Sequence, residues 1–399
     1  MKTKILPILS KLRSHTRKIV MTNNFGSEVY KHLGVRPLIN AGGTQTLWGG
    51  STLSPEVMQA MVDANSNYVE MEELLEKSGE YVARLLGVEA AYVTSGCFAA
   101  LALSTAACMT GRDRHKISRL PEIVGIKHEV LIQKTHRNSY DREFPVPGGR
   151  LVEVGAADGC SVEELARAIG PNTAAAAYLV SRGGRDTSIS LEDMVKVAHE
   201  HDVPVIVDAA THVYPIDYFQ SLAQSADLVC FSAKYFDGPP SVGIACGKKE
   251  LIQAVADHGY IGFYNPDGRS FGRGFKVDRH QVIGLVAALE AWVTMDHQAR
   301  VEGYEARLLG MQQMLKDVPT ITETEIVRND THIGPILRIA LDTAALGKNA
   351  PQVLTELHAG TPRIRAGGGG DDSITIHAHT LNQGEEEIIV DRLQVLLAG

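Results

Sequence analysis

Cysteine is scarce in this chain of 399 residues, and what there is does not pair off. The five cysteines (Cys97, Cys108, Cys160, Cys230 and Cys246) are odd in number and form no Cys-x-x-Cys spacing. That pattern argues against a disulfide framework and against a zinc site, and suits a reducing cytoplasm. An apolar run of the roughly 18 residues needed to cross a bilayer is also missing, so no membrane span is expected. Positive charge is not in excess: 39 Lys and Arg against 47 Asp and Glu leave a net charge of −8. Such a balance disfavours a nucleic-acid-binding surface. Neither an internal repeat nor a low-complexity tract interrupts the chain.

What remains is ordinary globular composition, 44% hydrophobic and 22% charged, enough to bury a large core. The first twenty residues, MKTKILPILSKLRSHTRKIV, stand apart. They carry Lys2, Lys4, Lys11, Arg13, Arg17 and Lys18 and no acid. They read either as a targeting or amphipathic basic arm or as a frayed extension ahead of Met21. A signal peptide does not fit, because Pro7 and Lys11 break the apolar stretch and no small-residue cleavage site follows.

Helices and strands then alternate. PEVMQAMVDANSNYVEMEELLEKSGEYVARLLG places apolar residues at helical spacing behind a Ser54-Pro55 start. AAYVT, EVLIQ, RLVEVG, AAAAYLV, VPVIVD and ADLVCFSA read as short buried strands. CFAALALSTAACMTG, the segment from Ser161 to Ile169, and SLEDMVKVAHEHD read as the helices between them. Alternation of this kind predicts a parallel sheet covered by helices on both faces. After a helix near Gln281–Asp296, the strands GPILRIALD and SITIHAHT and the helix NQGEEEIIVDRLQVLLA predict a smaller α+β unit. The expected division is a basic, poorly ordered extension over 1–26, a large domain over 27–285 and a small domain over 286–399.

Polar residues fall just after the strand ends, where open α/β sheets bind ligands. Thr94, Ser95, Gly96 and Cys97 form a strand-glycine-helix turn suited to a phosphate, although such turns are common. Asp208 ends an apolar strand; it reads as a partner for a protonated ring nitrogen, or as a helix cap or salt-bridge member. Lys234 follows it by one strand, in FSAKYFDGPPSVG. A lysine whose charge is disfavoured there can act as a nucleophile, and Ser232 can bond the same phosphate; a surface lysine is the plainer alternative. His136, in KTHRNSYD, can stack on a planar ring and relay protons, or can be a loop histidine.

Taken together, phosphate turn, ring stacker, acid and lysine in this chain order resemble the fold-type I pyridoxal 5′-phosphate (PLP) enzymes. RPLINAGGTQTLWGGSTLSPEVMQAM, AAYVTSGCFAALALSTAACMTGRD and RGFKVDRHQVIGLVAALE look like the selenocysteine-synthase-like branch. That branch contains the L-seryl-tRNA(Sec) selenium transferases and D-glucosaminate-6-phosphate ammonia-lyase-like proteins, and the likeness runs from Glu28 to Leu397. The resemblance implies PLP on Lys234 as a Schiff base, Asp208 at the ring nitrogen and His136 on the ring. It also implies a homodimer, or higher homo-oligomer, with the active site at the subunit interface. Arg273 and Lys276 are candidates to enter from a partner subunit. Arg363 or Arg365, in GTPRIRAGG, is a candidate to hold a substrate carboxylate, a salt-bridge role being the alternative.

Two departures bear on the reaction. About 27 residues precede the family-like core, with no extra RNA-binding domain, which disfavours tRNA as substrate. FSAKYFDGPPSVG also lacks the Gly-Asp that precedes the lysine in the selenium transferases. The expected function is α,β-elimination of ammonia-lyase type on a small amino acid or amino sugar acid. Racemisation, transamination and β-replacement are alternatives, as is a non-catalytic protein with this fold. NAGGTQTLWGGS is expected to shape the substrate side of the pocket, or merely to cross between domains.

Overall fold

The computed structural model describes residues 28–180, 188–267 and 269–398. The basic extension, and the SRGGRD segment that follows AAAAYLV, lie outside the described residues. Two compact units emerge, one built on residues 53–293 and the other on 28–52 with 294–398. Strand β1 (Leu38–Ala41) pairs in parallel with a strand near residue 365, which is why 28–52 joins the second unit and not the first. Helix Arg279–Thr294 stays in the first unit to its end, where the Trp292 indole N–H donates to the Val213 carbonyl at 2.8 Å.

The first unit is a seven-stranded sheet. Its strands are β2 (Ala90–Thr94), β3 (Glu129–Gln133), β4 (Arg150–Val154), β5 (Thr173–Leu179), β6 (Val205–Asp208), β7 (Leu228–Ser232) and β8 (Gly243–Gly247), in the spatial order 2-8-7-6-5-3-4. Strands β7, β6, β5, β3 and β4 run parallel. All five residues of β7 and of β8 are buried, so helices must cover both faces there. Helix Cys97–Thr110 is buried almost all round, and its alanines let it lie close against the sheet.

Strand β8 is antiparallel to both β2 and β7, a reversal absent from the sequence-based expectation. The link from Ser232 to Gly243 is too short to hold the crossover that a parallel strand needs. Gly243 is required at the start of the return. A Cβ there would stand 2.6 Å from the Cys97 nitrogen and 2.8 Å from the Phe231 oxygen. The helical pattern after Pro55 likewise divides into two helices, Pro55–Asn65 and Met71–Leu86, with the poor helix formers Ser66, Asn67 and Val69 between them.

In the second unit, β9 (Ile321–Val327), β10 (Ile336–Leu341), β11 (Arg363–Gly368) and β12 (Ser373–His377) combine with β1 in the order 1-11-12-10-9. Ile39, Leu337, Ile339, Ile364, Ile374 and Ile376 form one wall of its core, closed by Leu308, Leu357 and Leu393 from three helices. Among the described residues no helix is long and apolar enough to cross a membrane, and no group of side chains could hold a metal ion.

Candidate active site

Pairing registers bring the strand-end residues into one row. Thr94 on β2 lies opposite Gly243 on β8, and Gly243 lies opposite Ser232 on β7. On β6, Asp208 lies opposite Cys230 on one side and Leu179 of β5 on the other. The Leu179 N–H donates to His136 Nδ1 at 3.3 Å, which closes the row from β3's end. Residues up to 149 positions apart in sequence, Thr94 and Gly243, thus meet along one edge of one sheet.

The phosphate-turn candidates stand at the start of helix Cys97–Thr110. Gly96 is its N-cap at φ 89°, a conformation that favours glycine, and buried Thr94 donates its hydroxyl to the Gly96 carbonyl at 3.0 Å. The first N–H groups of that helix have no intrahelical acceptor, so the turn offers donors and a positive dipole end to an anion. The Cys97 thiol is pushed well up by burial and by the adjacent Asp208, so it stays neutral.

Two carboxylates at opposite edges of this sheet behave differently. Asp227, at the opposite end of β7, is fully engaged by Lys248 Nζ at 2.5 Å, His199 Nε2 at 2.9 Å and the Val205 N–H at 2.7 Å. Burial would raise it, but those donors outweigh burial and hold it below the usual range. Among the described residues Asp208 has only the Ala210 N–H at 3.1 Å and the Cys97 thiol at 3.8 Å, both on Oδ1. Burial therefore wins, and the carboxyl is pushed up. Among the described residues Oδ2 makes no hydrogen bond. A cationic donor at Oδ2 would favour its charged form.

Lys234 sits on a single helical turn, Ala233–Phe236, directly after β7. The Gly238 N–H returns to the Ala233 carbonyl at 2.9 Å and the Ala233 N–H donates to Val242 at 2.9 Å, so the Gly-Pro turn fixes the backbone on both sides of the lysine. Lys234 is half-buried with its Nζ 4.9 Å from the centre of the Tyr235 ring. Burial pushes its ammonium below the ordinary lysine range, and Cys97 partly offsets the shift. Ser232 and His136 are buried; His136 also meets the edge of Tyr178 at 4.6 Å between centroids.

Not every candidate joins the row. Arg273 stacks on Tyr264 at 5.6 Å and Lys276 is exposed. Arg363 and Arg365 belong to the second unit, on β11.

One residue of interest escaped the sequence reading. Glu143 lies in a polar loop with no motif around it, yet it is 2% exposed, its Oε2 is buried without a hydrogen bond, and burial followed by Asp208 and Asp141 pushes it up to about 8. A carboxyl raised from an ordinary 4.5 holds a proton in the folded chain that the unfolded chain has already released. Its contribution to stability is therefore complete below the ordinary value and is lost as pH rises through about 8. Glu143→Gln should flatten the fall in melting temperature between those limits, as thermal unfolding across a pH series would show. A wild-type and variant difference that stays constant with pH would contradict this.

Residues 38–301 match the model of the L-seryl-tRNA selenium transferase (SelA) family. The chain belongs to this family. Relatives of known activity are similar over nearly their whole lengths. A 5′-C-glycyluridine monooxygenase-decarboxylase of a Streptomyces species is 32% identical over 384 residues, 92% of each chain. D-glucosaminate-6-phosphate ammonia lyase of Salmonella typhimurium is 32% identical over 379 residues, 92% of this chain and 97% of that one. A solved D-glucosaminate-6-phosphate ammonia-lyase superposes with a TM-score of 0.83 at 30% identity, covering 94% of this chain and 99% of the other. A serine palmitoyltransferase from S. paucimobilis, solved with a PLP-myriocin adduct, shares the fold at a TM-score of 0.52 and 15% identity, over 90% of this chain and 87% of the other.

The chain is thus an α/β protein of PLP fold type I, and family and fold make PLP its cofactor. The row of residues fits that group on three counts. The helix start at Gly96 offers a phosphate its free N–H groups, Asp208 Oδ2 meets no cation among the described residues and would gain one from a ring nitrogen, and burial disfavours the charged form of the Lys234 amine.

Proposed function

We propose that this SelA-family enzyme removes ammonia from an α-amino acid that carries a hydroxyl on Cβ and a sugar-like tail. The observation that carries the reading is the pairing of an unsatisfied Asp208 with a Lys234 held toward its neutral form, in one strand-end row. The names of the relatives support the substrate class: a glucosaminate and a seryl group are both α-amino acids hydroxylated at Cβ, and the glycyluridine is an amino acid built on a nucleoside.

PLP, when bound, supplies an electron sink for the pair left at the substrate Cα. In this reading Thr94, Ser95, Gly96, Cys97 and Ser232 hold its phosphate. Asp208 would keep the ring nitrogen protonated and His136 would stack on the ring. Lys234 would anchor the cofactor, and its neutral Nζ would take the substrate Cα proton. The same Nζ returns a proton to the departing β-hydroxyl, so that no free hydroxide has to leave. Water is lost at this step and regained when the nitrogen is released, and the net products are a 3-deoxy-2-oxo acid and ammonia.

An interface role for Arg273 and Lys276 belongs to the same reading. Phe98, one residue beyond the phosphate turn, is 46% exposed, and Tyr68 is 94% exposed. A large exposed ring beside the phosphate turn, as Phe98 is, suits coverage by a second copy of the chain.

The reaction is tested by incubating PLP-loaded protein with D- and L-amino acids, with and without a β-hydroxyl, in D2O. The expected result is ammonia and an oxo acid from one β-hydroxy stereoisomer only. Return of Cα-deuterated substrate without ammonia would make the enzyme a racemase. Turnover that requires an added keto acid would make it an aminotransferase.

A further inference from the structure

The second unit carries a concentration of positive charge around Arg363 and Arg365. Arg363 and Arg365 alternate along β11, so both point away from the core side occupied by Ile364 and Ala366. The Arg365 guanidinium lies 4.8 Å from the centre of the Trp48 ring. Trp48 in turn faces His358 at 5.8 Å between centroids. His358 is held below its ordinary range by burial and then by Arg363, Arg365 and Arg36. Arg36 donates to the Gly360 carbonyl at 2.7 Å, and Arg392 packs so tightly on Gly360 that a Cβ there would stand 2.6 Å from its Nη2. Four arginines and a histidine therefore converge around the end of helix Ala350–Ala359.

No carboxylate answers them. Among the described residues none of the four arginines forms an ion pair, and the Glu356 of that helix is taken by Lys348 at 2.9 Å. The buried Nε of Arg363, Nε of Arg392 and Nδ1 of His358 make no hydrogen bond. Uncompensated cations and unused donors in one place are costly unless an anion completes them. A helix C-terminus attracts cations, but only Arg36 bonds a terminal carbonyl, so capping does not account for the other three.

We propose that this cluster is a binding site for the phosphate monoester of a small molecule. A carboxylate is satisfied by one guanidinium fork; a dianion with three outward oxygens can use several. The Trp48 face beside Arg365 adds an apolar platform for the carbon chain that bears the phosphate. Loop residues 40–50 set that platform: Asn40 Nδ2 donates to the Gly43 carbonyl at 3.0 Å, Gln45 Nε2 to the Gly42 carbonyl at 3.1 Å, and the Trp48 indole N–H to Gln45 Oε1 at 3.1 Å. A net charge of −8 and a half-buried cluster favour a small phosphate over an RNA backbone. Assigning this phosphate to the tail of the substrate rests on the reaction proposed above; the site itself does not.

The experiment is calorimetric titration of the PLP-loaded full chain, in which the cofactor's own phosphate turn is already filled. The probes are 6-phosphogluconate, gluconate and inorganic phosphate. 6-Phosphogluconate should bind at least tenfold tighter than gluconate, with inorganic phosphate competing. Arg365→Gln and Arg363→Gln should each weaken 6-phosphogluconate by on the order of 10- to 100-fold, and Arg365→Lys by less, while the visible absorption of bound PLP is unchanged. Equal affinity for the two gluconates would overturn the site, as would variants that melt earlier but bind as before. Tighter binding of mixed-sequence RNA that depends on the same arginines would overturn it in favour of a nucleic acid. Absent phosphate binding with intact ammonia release would remove this site and leave the reaction standing; the reverse would remove the reaction and leave the site.

Discussion

Lys234→Ala should reduce turnover by roughly 1,000-fold or more, the scale expected when one side chain both anchors the cofactor and moves the Cα proton. The loss should fall on kcat, because the phosphate turn and Asp208 remain to hold PLP. Neither the fold nor the melting temperature should suffer much: the lysine is half-buried, and its turn is held by backbone bonds from Gly238 and Ala233 that alanine keeps. In the wild type, activity should rise with pH as the Lys234 amine loses its proton. Burial moves that rise to a lower pH than an ordinary lysine would give. Steady-state kinetics over a pH series reads both effects. A variant with near-normal kcat would remove Lys234 from the chemistry.

Asp208→Asn should cost on the order of 100- to 1,000-fold in kcat, the usual loss when a preorganised charge is removed. Asparagine can still accept from the Ala210 N–H, so the strand end should keep its shape. What it cannot do is hold a proton on the ring nitrogen by charge. Substitution at Asp227 offers a contrast. That carboxylate already has three donors, so its loss should appear in stability and not in kcat. Parallel measurement of kcat and melting temperature for the two variants separates the roles. Equal loss of stability with no kinetic difference would contradict the assignment of Asp208.

Local chemistry made much of the first unit readable before any coordinates. Ser54, Ser161 and Ser190 each accept from a backbone N–H three residues on, as their positions ahead of apolar-periodic segments suggest. AAYVT and EVLIQ are strands as written, and VPVIVD is one from Val205 on, because short runs of β-branched and small residues suit a sheet buried on both faces. Strand β8 was hidden for the same physical reason that it matters. GIACG has low strand propensity, and only its close approach to Cys97 and Phe231 demands the glycine. Strand β1 was hidden because its partner lies more than 300 residues away. Among site residues, Asp208, Ser232 and Lys234 announced themselves at strand ends, whereas Glu143 owes its character to burial beside Asp208, which no spacing reveals.

In the proposed function, Lys234 is the residue through which this enzyme carries PLP. Borohydride treatment of the PLP-loaded protein reduces any lysine–cofactor C=N linkage to a stable amine, and peptide mass mapping then locates it. One pyridoxyl-phosphate mass increment is expected, on the peptide that contains FSAKYFDGPPSVG, and it should disappear in Lys234→Ala. An increment on a different lysine, or none at all, would contradict it.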